Sequence, residues 1–111
     1  MDDLATLVRA RPVTSRAEVL ERVLAHEAEI RALFVTALYL YGSAARDQLS
    51  TGSDIDVFVD YDLNGSFTFV ELIRVGDLLE TLLGRKVDFA TRDGLHPRLR
   101  TQIEAKSQRI F

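Results

Sequence analysis

The amino-acid sequence predicts one α/β (α+β) domain in which helices and strands alternate. Two long segments carry apolar residues at helical spacing, and three shorter runs rich in branched and aromatic side chains are typical of strands. The predicted order is helix, strand, short helix, strand, helix, strand, helix, or α-β-α-β-α-β-α. A chain of 111 residues, 47% of them hydrophobic, has room for one core. We therefore interpret residues 1–111 as a single domain.

The charge balance argues against a template-directed polymerase. The formal net charge is −3, whereas proteins that hold nucleic acid nonspecifically carry an excess of lysine and arginine. Cysteine is absent, which excludes disulfides and thiolate metal sites and is typical of a reducing cytoplasm. Neither a signal peptide nor a bilayer-length apolar run is recognisable. We expect a cytoplasmic protein that contacts no membrane and no nucleic-acid template.

The first half of the chain is expected to form helices and one strand. Leu4, Leu7 and Val8 have helical spacing, and Pro12 is expected to end that short segment. A clearer helix is predicted for residues 16–32, because Ser15 followed by Glu18 suggests a capping box. The apolar run 34–41 predicts a strand that is covered on both faces.

The second half is expected to add two strands and two helices. Residues 54–60 and 86–90 have strand patterns, and residues 68–83 have an apolar helical stripe that ends before Gly84, a suitable C-terminal cap. A last helix is predicted with Pro97 in its first turn. Its apolar stripe consists of Leu95, Leu99, Ile103 and Ile110.

Two carboxylates at the start of the second strand suggest a metal site. Asp54 and Asp56 share one face of the strand, because side chains alternate, while Ile55, Val57 and Val59 point to the other. If the apolar face is buried, two like charges about 7 Å apart face outward. A hard cation such as Mg²⁺ would stabilise them. The alternative is that both are ordinary solvated carboxylates.

A glycine and a serine upstream suggest a site for phosphate. Gly42 and Ser43 end the first strand, and residues 44–49 are predicted to form a short helix. Glycine permits close backbone approach, and a serine hydroxyl donates hydrogen bonds, although both residues also serve in ordinary turns and helix caps. Arg46, one turn later, either contacts a nucleotide phosphate or forms a surface ion pair with Asp47 or Glu71, and Ser53 is a further candidate donor. Such a cradle beside a metal site indicates phosphoryl or nucleotidyl transfer.

This pattern resembles a known superfamily. Gly42-Ser43, ten residues and then Asp54-x-Asp56 is similar to the signature of the DNA polymerase beta-like nucleotidyltransferases, and the surrounding residues resemble their minimal nucleotidyltransferase (MNT) branch. The resemblance covers about residues 34–90. It implies a small mixed three-stranded sheet flanked by helices, and it implies Asp88 as a third carboxylate on the last strand.

The resemblance also implies the chemistry. Asp54, Asp56 and Asp88 would hold two Mg²⁺ ions, Asp88 would also be the general base, and AMP would pass from ATP to a hydroxyl group. Gly42, Ser43, Arg46 and Ser53 would bind the nucleotide. One departure is Asp47, at a position where many relatives carry glycine.

Small stand-alone members of this branch are usually antitoxins. By that resemblance, the acceptor is expected to be a tyrosine of a cognate HEPN ribonuclease toxin, which the modification neutralises. Two alternatives remain: a binding module that neutralises its partner by occlusion, with transfer weak or lost, and a catalytic subunit that modifies a small molecule together with a separate substrate-binding subunit. A homo- or hetero-oligomer is compatible with all three hypotheses.

Other polar residues have simpler interpretations. Asp60 and Asp62 are interpreted as solvated residues at the end of a strand, and His26 and His96 as structural or surface residues, because no other histidine lies at metal-ligand spacing. A set of basic residues near the C-terminus is expected to be spread around the last helix and to serve solubility, with contact to a partner protein as the alternative. The set is Arg98, Arg100, Lys106 and Arg109.

Overall fold

The computed structural model describes residues 10–111, which form a four-stranded sheet flanked by helices. The helices are α1 (Arg16–Ala25), α2 (Glu27–Arg31), α3 (Gly42–Ala45), α4 (Phe69–Leu83) and α5 (Pro97–Ala105), with a 3₁₀ turn at Arg92–Gly94. The strands are β1 (Val35–Tyr41), β2 (Ile55–Tyr61), β3 (Val87–Thr91) and β4 (Gln108–Arg109). Among these residues, no helix has the length and apolar character needed to cross a membrane.

The sheet is mixed, as expected, and has one strand more than predicted. The strand order is β3-β2-β1-β4; β2 is antiparallel to β1 and parallel to β3, and β4 is antiparallel to β1. The predicted last helix ends at Ala105, so the assignment of Ile110 to its stripe was wrong. The Ile110 N–H instead donates to the Leu38 carbonyl at 2.8 Å, because the free edge of β1 offers backbone partners.

The predicted helix over residues 16–32 is divided in two. His26, with φ −121° and ψ 22°, lies between α1 and α2, and its Nδ1 is 3.0 Å from the Arg22 carbonyl oxygen. Val19, Val23 and Ile30 are nevertheless all buried, so the break keeps the apolar stripe on the core. The helix expected around Leu4, Leu7 and Val8 lies outside the described residues.

The predicted capping box of α1 is half formed, and an unpredicted one begins α4. The Ser15 side chain accepts a hydrogen bond from the Glu18 N–H, but Glu18 Oε1 accepts from the Thr14 N–H at 2.8 Å and not from that of Ser15. Thr68 forms a reciprocal capping box with Glu71 at the start of α4. Gly84 ends α4 with a left-handed φ of 65°. Such caps satisfy the backbone groups that a helix end leaves without partners.

The main core lies on one face of the sheet. Ile55, Val57 and Val59 are fully buried there, as the alternation in β2 predicts. They pack with Leu38 and Leu40 of β1 and with side chains from α1 and α4, which are Val19, Val23, Val75, Leu79 and Leu83. Burial of this face fixes which way every side chain of β2 points.

The opposite face of the sheet is only partly open to solvent. Phe58, between Asp56 and Asp60 on that face, is fully buried, and its ring stacks on Tyr39 with 4.7 Å between centroids. The Arg92 guanidinium lies 5.1 Å from the Phe58 ring centroid and 4.8 Å from that of Tyr39. The carboxylates of β2 therefore lie beside an aromatic cluster and do not project from a bare surface.

Candidate active site

Three polar side chains form a row across the second face of the sheet. Tyr41 at the end of β1 pairs with Asp56 of β2, and Asp56 pairs with Asp88 of β3. Residues in register on neighbouring strands are about 4.8 Å apart and point to the same face. Asp54 lies just before β2 and is exposed, as is Asp88. The register therefore brings Asp56 and Asp88 together, and Asp54 is near enough for its charge to act on Asp56. We call Asp54, Asp56 and Asp88 the carboxylate row.

The carboxylates act on one another electrostatically. The pKa of Asp56 is raised above its ordinary value, first by its half-burial and then by repulsion from Asp88 and Asp54, with Arg46 opposing the rise. A raised pKa means that the ionised form is destabilised where it stands. Asp56 is thus an acid that would gain from a nearby cation.

Tyr41, which lies beside Asp56 of the carboxylate row, was not predicted as a site residue. Half-burial, together with the charges of Asp88 and Asp56, raises the pKa of its hydroxyl to about 12, so it remains a neutral donor near pH 7. Its ring lies against Phe58, with 5.8 Å between centroids. The position of Tyr41, directly before Gly42 at the end of a strand, was the feature that could have indicated its role, but an aromatic residue there is also typical of any strand.

Gly42 permits the closest approach in the site. It has a left-handed φ of 68°, and a Cβ at this position would overlap Oδ2 of Asp56 and lie 3.1 Å from its Cγ. A side chain here would therefore displace the central carboxylate as well as strain the backbone. The packing against Asp56 explains why glycine is required, independently of any phosphate.

The segment after Gly42 forms a single turn of helix. The predicted helix over residues 44–49 is wrong in its bounds: α3 is Gly42–Ala45 and is followed by Asp47 with a left-handed φ of 56°. This backbone conformation explains why glycine would fit at Asp47. The aspartate gains a compensating contact, because its Oδ1 accepts a hydrogen bond from the Arg16 backbone N–H at 2.9 Å. Ser43 is half-buried at the start of this turn.

Arg46 faces the carboxylate row. Its charge lowers the pKa of Asp56, and its Nε donates to Gln48 Oε1 at 3.2 Å. Glu71, considered as a surface partner for it, belongs to the capping box of α4. Arg46 thus lies where it can contact an anion bound beside Asp56.

Ser53 contacts Ser50 in the loop before β2, at the mouth of a groove. Its hydroxyl lies 2.7 Å from that of Ser50, and Arg85 donates a hydrogen bond of 2.6 Å to its carbonyl oxygen. Ser53 and Asp54 line a groove of about 610 Å³ between the loop before β2 and the end of α4. These contacts give Ser53 a structural role in the loop before β2, and its role in nucleotide binding stays a prediction.

The donor set fits a hard divalent cation. Among residues 10–111, no three acidic, histidine or cysteine side chains converge closely enough to enclose a metal ion as they stand. The shared face, the exposure of Asp54 and Asp88 and the repulsion felt by Asp56 are nevertheless what oxygen ligands for Mg²⁺ provide. Exposed carboxylates can rotate toward an ion, and the strand register keeps Asp56 and Asp88 on neighbouring strands within reach of the same one.

Asp60 corrects one interpretation made from the sequence. It is not a freely solvated carboxylate, because Arg92 donates to both of its oxygens, at 2.8 and 3.0 Å, and to Glu104 at 2.6 Å. The hydrogen bonds to Asp60 and Glu104 raise the pKa of Arg92 above its ordinary value, and partial burial opposes the rise. The cluster ties β2 to α5 across the aromatic pair Tyr39 and Phe58. Sequence analysis missed Arg92 because its partners are 32 and 12 residues away.

The remaining polar candidates have structural contacts. His96 caps α5, where its Nδ1 accepts from the Arg98 N–H at 3.2 Å, and Asp62 accepts from the Asn64 N–H at 2.9 Å. Arg109 lies on β4 and not on the last helix, with its guanidinium 5.8 Å from the Tyr39 ring centroid. Lys106 follows α5 directly and lines a cleft beside Tyr41.

Comparison with known proteins gives consistent matches. The family described as a nucleotidyltransferase domain matches residues 20–110. A Thermococcus cleftensis protein named protein adenylyltransferase MntA is 34% identical over 80 residues, which are 70% of this chain and 79% of that protein. A Methanocaldococcus jannaschii protein, provisionally named a protein adenylyltransferase, is 32% identical over 89 residues, or 78% of this chain and 89% of that protein.

Solved structures show the same fold. One described as a minimal nucleotidyltransferase has a TM-score of 0.73 and 28% identity, with 85% of this chain and 94% of that chain covered. A Shewanella oneidensis complex of a tri-AMPylated HEPN toxin with an MNT antitoxin has a TM-score of 0.60 at 15% identity, with 86% of this chain and 71% of that chain covered. At that identity the second likeness concerns the fold alone.

Proposed function

This chain belongs to the nucleotidyltransferase domain family, and from that premise we propose that it transfers AMP from ATP to a tyrosine hydroxyl of a cognate HEPN toxin. It would act in the cytoplasm as the antitoxin of a pair, with Mg²⁺ as cofactor. The observation that carries the proposal is the carboxylate row, in which Asp56 and Asp88 are in register and the charge of Asp54 acts on Asp56.

The reaction makes and breaks one bond to phosphorus. The acceptor oxygen bonds to the α-phosphorus of ATP, the bond from that phosphorus to the bridging oxygen of the β-phosphate breaks, and pyrophosphate leaves. Asp88 takes the proton of the acceptor hydroxyl, a role that suits its exposed position at the edge of the row.

Asp54, Asp56 and Asp88 would hold Mg²⁺. The bound ions would lower the pKa of the acceptor hydroxyl and neutralise charge on the triphosphate. The raised pKa of Asp56 supports this assignment, because a carboxylate crowded by like charges is stabilised by a cation.

Four further residues would position the nucleotide. Gly42 keeps the backbone of α3 close to Asp56, and Ser43 supplies a hydroxyl at the start of that turn. Arg46 contributes positive charge beside Asp56, and Ser53 lies next to Asp54 at the mouth of the larger groove. Together they would orient the triphosphate so that its α-phosphate faces the carboxylates.

The names of the relatives support a protein acceptor. Two relatives more than 30% identical to this chain are named protein adenylyltransferases, one of them provisionally. Structures of the same fold are described as toxin–antitoxin complexes, one of them with the ATP analogue AMP-PNP. We extend both properties to this chain as part of the proposal.

The test is transfer of label between purified proteins. The chain is incubated with the proposed HEPN partner, Mg²⁺ and ATP labelled at the α-phosphate, and the modified residue is mapped by peptide mass spectrometry. We expect label on a tyrosine of the partner. Label at the γ-phosphate should not transfer, and the Asp54→Asn/Asp56→Asn double variant should not transfer α-label. An unlabelled partner in the wild-type reaction would refute the proposal.

One observation favours neutralisation by binding as a second candidate. Phe69, Val70 and Ile73, which share one side of α4, are 72%, 54% and 48% exposed, and apolar side chains grouped in this way are typical of protein interfaces. If the Asp54→Asn/Asp56→Asn variant protects cells from the toxin as well as wild type does, occlusion is the better account. If protection is lost while the complex still forms, transfer is required.

A further inference from the structure

A small cleft beside the carboxylate row has one wall from the C-terminal part of the chain. Its volume is about 150 Å³. One side is formed by Tyr41, Gly42 and Arg46, and the other by the end of α5 and the residue that follows it, through Gln102, Ile103 and Lys106. Because Tyr41 is in register with Asp56, this cleft opens directly beside the proposed reaction site.

Two cations line the cleft, and among the described residues neither forms a salt bridge, although the charge of Arg46 acts on Asp56 at longer range. In the part of the chain that the structure describes, neither Arg46 nor Lys106 forms an ion pair with a carboxylate, whereas Arg92 and Arg100 of the same region both contact Glu104. Two like charges on opposite walls of a narrow cleft repel each other, and an anion between them removes that cost. The arrangement favours an anionic ligand with several charged oxygens.

The C-terminal wall is held in place by contacts outside the cleft. Glu104 accepts a hydrogen bond from Arg92, which also binds Asp60 of β2, and the Lys106 N–H donates to the Gln102 carbonyl oxygen at 3.2 Å. Backbone and helix are therefore fixed relative to the sheet. The exposed side chain of Lys106 can therefore adjust to a ligand from a fixed backbone.

We propose that Lys106 binds the β- and γ-phosphates of ATP, with Gln102 as a neighbouring donor, and so forms the leaving-group side of the nucleotide site. This inference rests on the proposed function, in which the α-phosphate lies at the carboxylate row. A lysine ammonium is a compact charge suited to phosphate, and it stabilises the charge that pyrophosphate gains as its bond to the α-phosphorus breaks.

The experiment compares nucleotide affinity between two lysine variants and a matched control. Binding of ATP, pyrophosphate and AMP is measured by calorimetry with Mg²⁺ present. Lys106→Ala should weaken ATP and pyrophosphate about 10- to 100-fold and AMP less than about threefold, because only the first two carry the phosphates concerned. Lys106→Arg should recover most of the ATP affinity. Arg98→Ala removes the same charge from an exposed position of α5 outside the cleft and should bind ATP as wild type does.

The outcomes separate this inference from the proposed function. Equal ATP affinity for Lys106→Ala and Arg98→Ala overturns the role of Lys106 while leaving the transferase proposal intact. Loss of affinity for the partner protein, with ATP binding unchanged, overturns it in favour of a docking role. A wild-type chain that binds no ATP would overturn the proposed function and this inference together.

Discussion

Asp56 and Asp60 lie on the same strand and the same face, yet their surroundings are opposite. Asp60 receives two hydrogen bonds from Arg92, which also binds Glu104, so its charge is compensated within the fold. Asp56, about 13 Å away along the strand, is half-buried beside Asp88 and Asp54, with Arg46 as its counter-charge. One acidic position therefore stabilises the native state, and the other is left for a ligand to stabilise.

The comparison shows how to separate structural from functional acids on one face. A carboxylate with a bidentate arginine contributes to stability, and its removal leaves the arginine unpaired. A carboxylate crowded by others costs stability, and its removal relieves repulsion. Substitutions at the two ends of the face should therefore affect activity and stability in opposite ways.

The largest effect is expected at the centre of the carboxylate row. Asp56→Asn should lower AMP transfer about 10³-fold, because the amide is a poor Mg²⁺ ligand. The thermal midpoint should stay level or rise, because repulsion with Asp54 and Asp88 is relieved. Transfer of α-label and a thermal melt measure both quantities, and Asp77→Asn on the exposed side of α4 is the control. A folded Asp56→Asn variant that transfers at the wild-type rate would remove the distinction between the two acids.

The second-largest effect is expected at Arg92, which compensates the charge of Asp60. Arg92→Ala should reduce the free energy of unfolding by about 2–3 kcal/mol, because Asp60 and Glu104 lose their shared partner. Urea unfolding measures the loss, and Arg98→Ala should stay within about 0.5 kcal/mol of wild type. A loss as small as that of the control would mean that solvent already satisfies Asp60.

A smaller effect tests why Gly42 approaches Asp56 so closely. Gly42→Ala should cost about 1–2 kcal/mol of stability, through its left-handed φ and through displacement of the Asp56 carboxylate, and it should also reduce transfer. Gly52→Ala is the matched control, since a Cβ there meets no atom within 4 Å. Urea unfolding and transfer of α-label are compared for the two variants. Equal behaviour would show that the backbone near Asp56 relaxes freely.

The smallest expected effect is a pH dependence of the Arg92 cluster. The hydrogen bond from Arg92 lowers the pKa of Glu104 below its ordinary value of 4.5. Its stabilising contribution is therefore present above pH 4.5 and is lost as the pH falls through the lowered folded value. Thermal melts of wild type and Glu104→Gln should differ most near neutral pH and converge in acid. A difference that does not change with pH would show that the charge of Glu104 does not contribute.

Much of the fold followed from local patterns, and the exceptions have clear physical causes. The caps at Ser15 and Gly84 and the buried alternation of β2 depend on near neighbours, so they were predictable. The fourth strand was missed because its two residues form a strand only through pairing with the free edge of β1. The break at His26 was missed because the apolar spacing continues across it.

For the site, the sequence by itself predicted that Asp54 and Asp56 share a face, since the two-residue period of a strand is a property of the backbone. The motif spacing and the resemblance drawn from it indicated the family. Only the tertiary structure decided that Asp88 lies in register with Asp56, that Asp60 belongs to Arg92 and that Lys106 reaches the cleft beside Tyr41. Those contacts join residues far apart in the chain, and the packing of α5 and β3 against β2, which brings them together, depends on the whole fold.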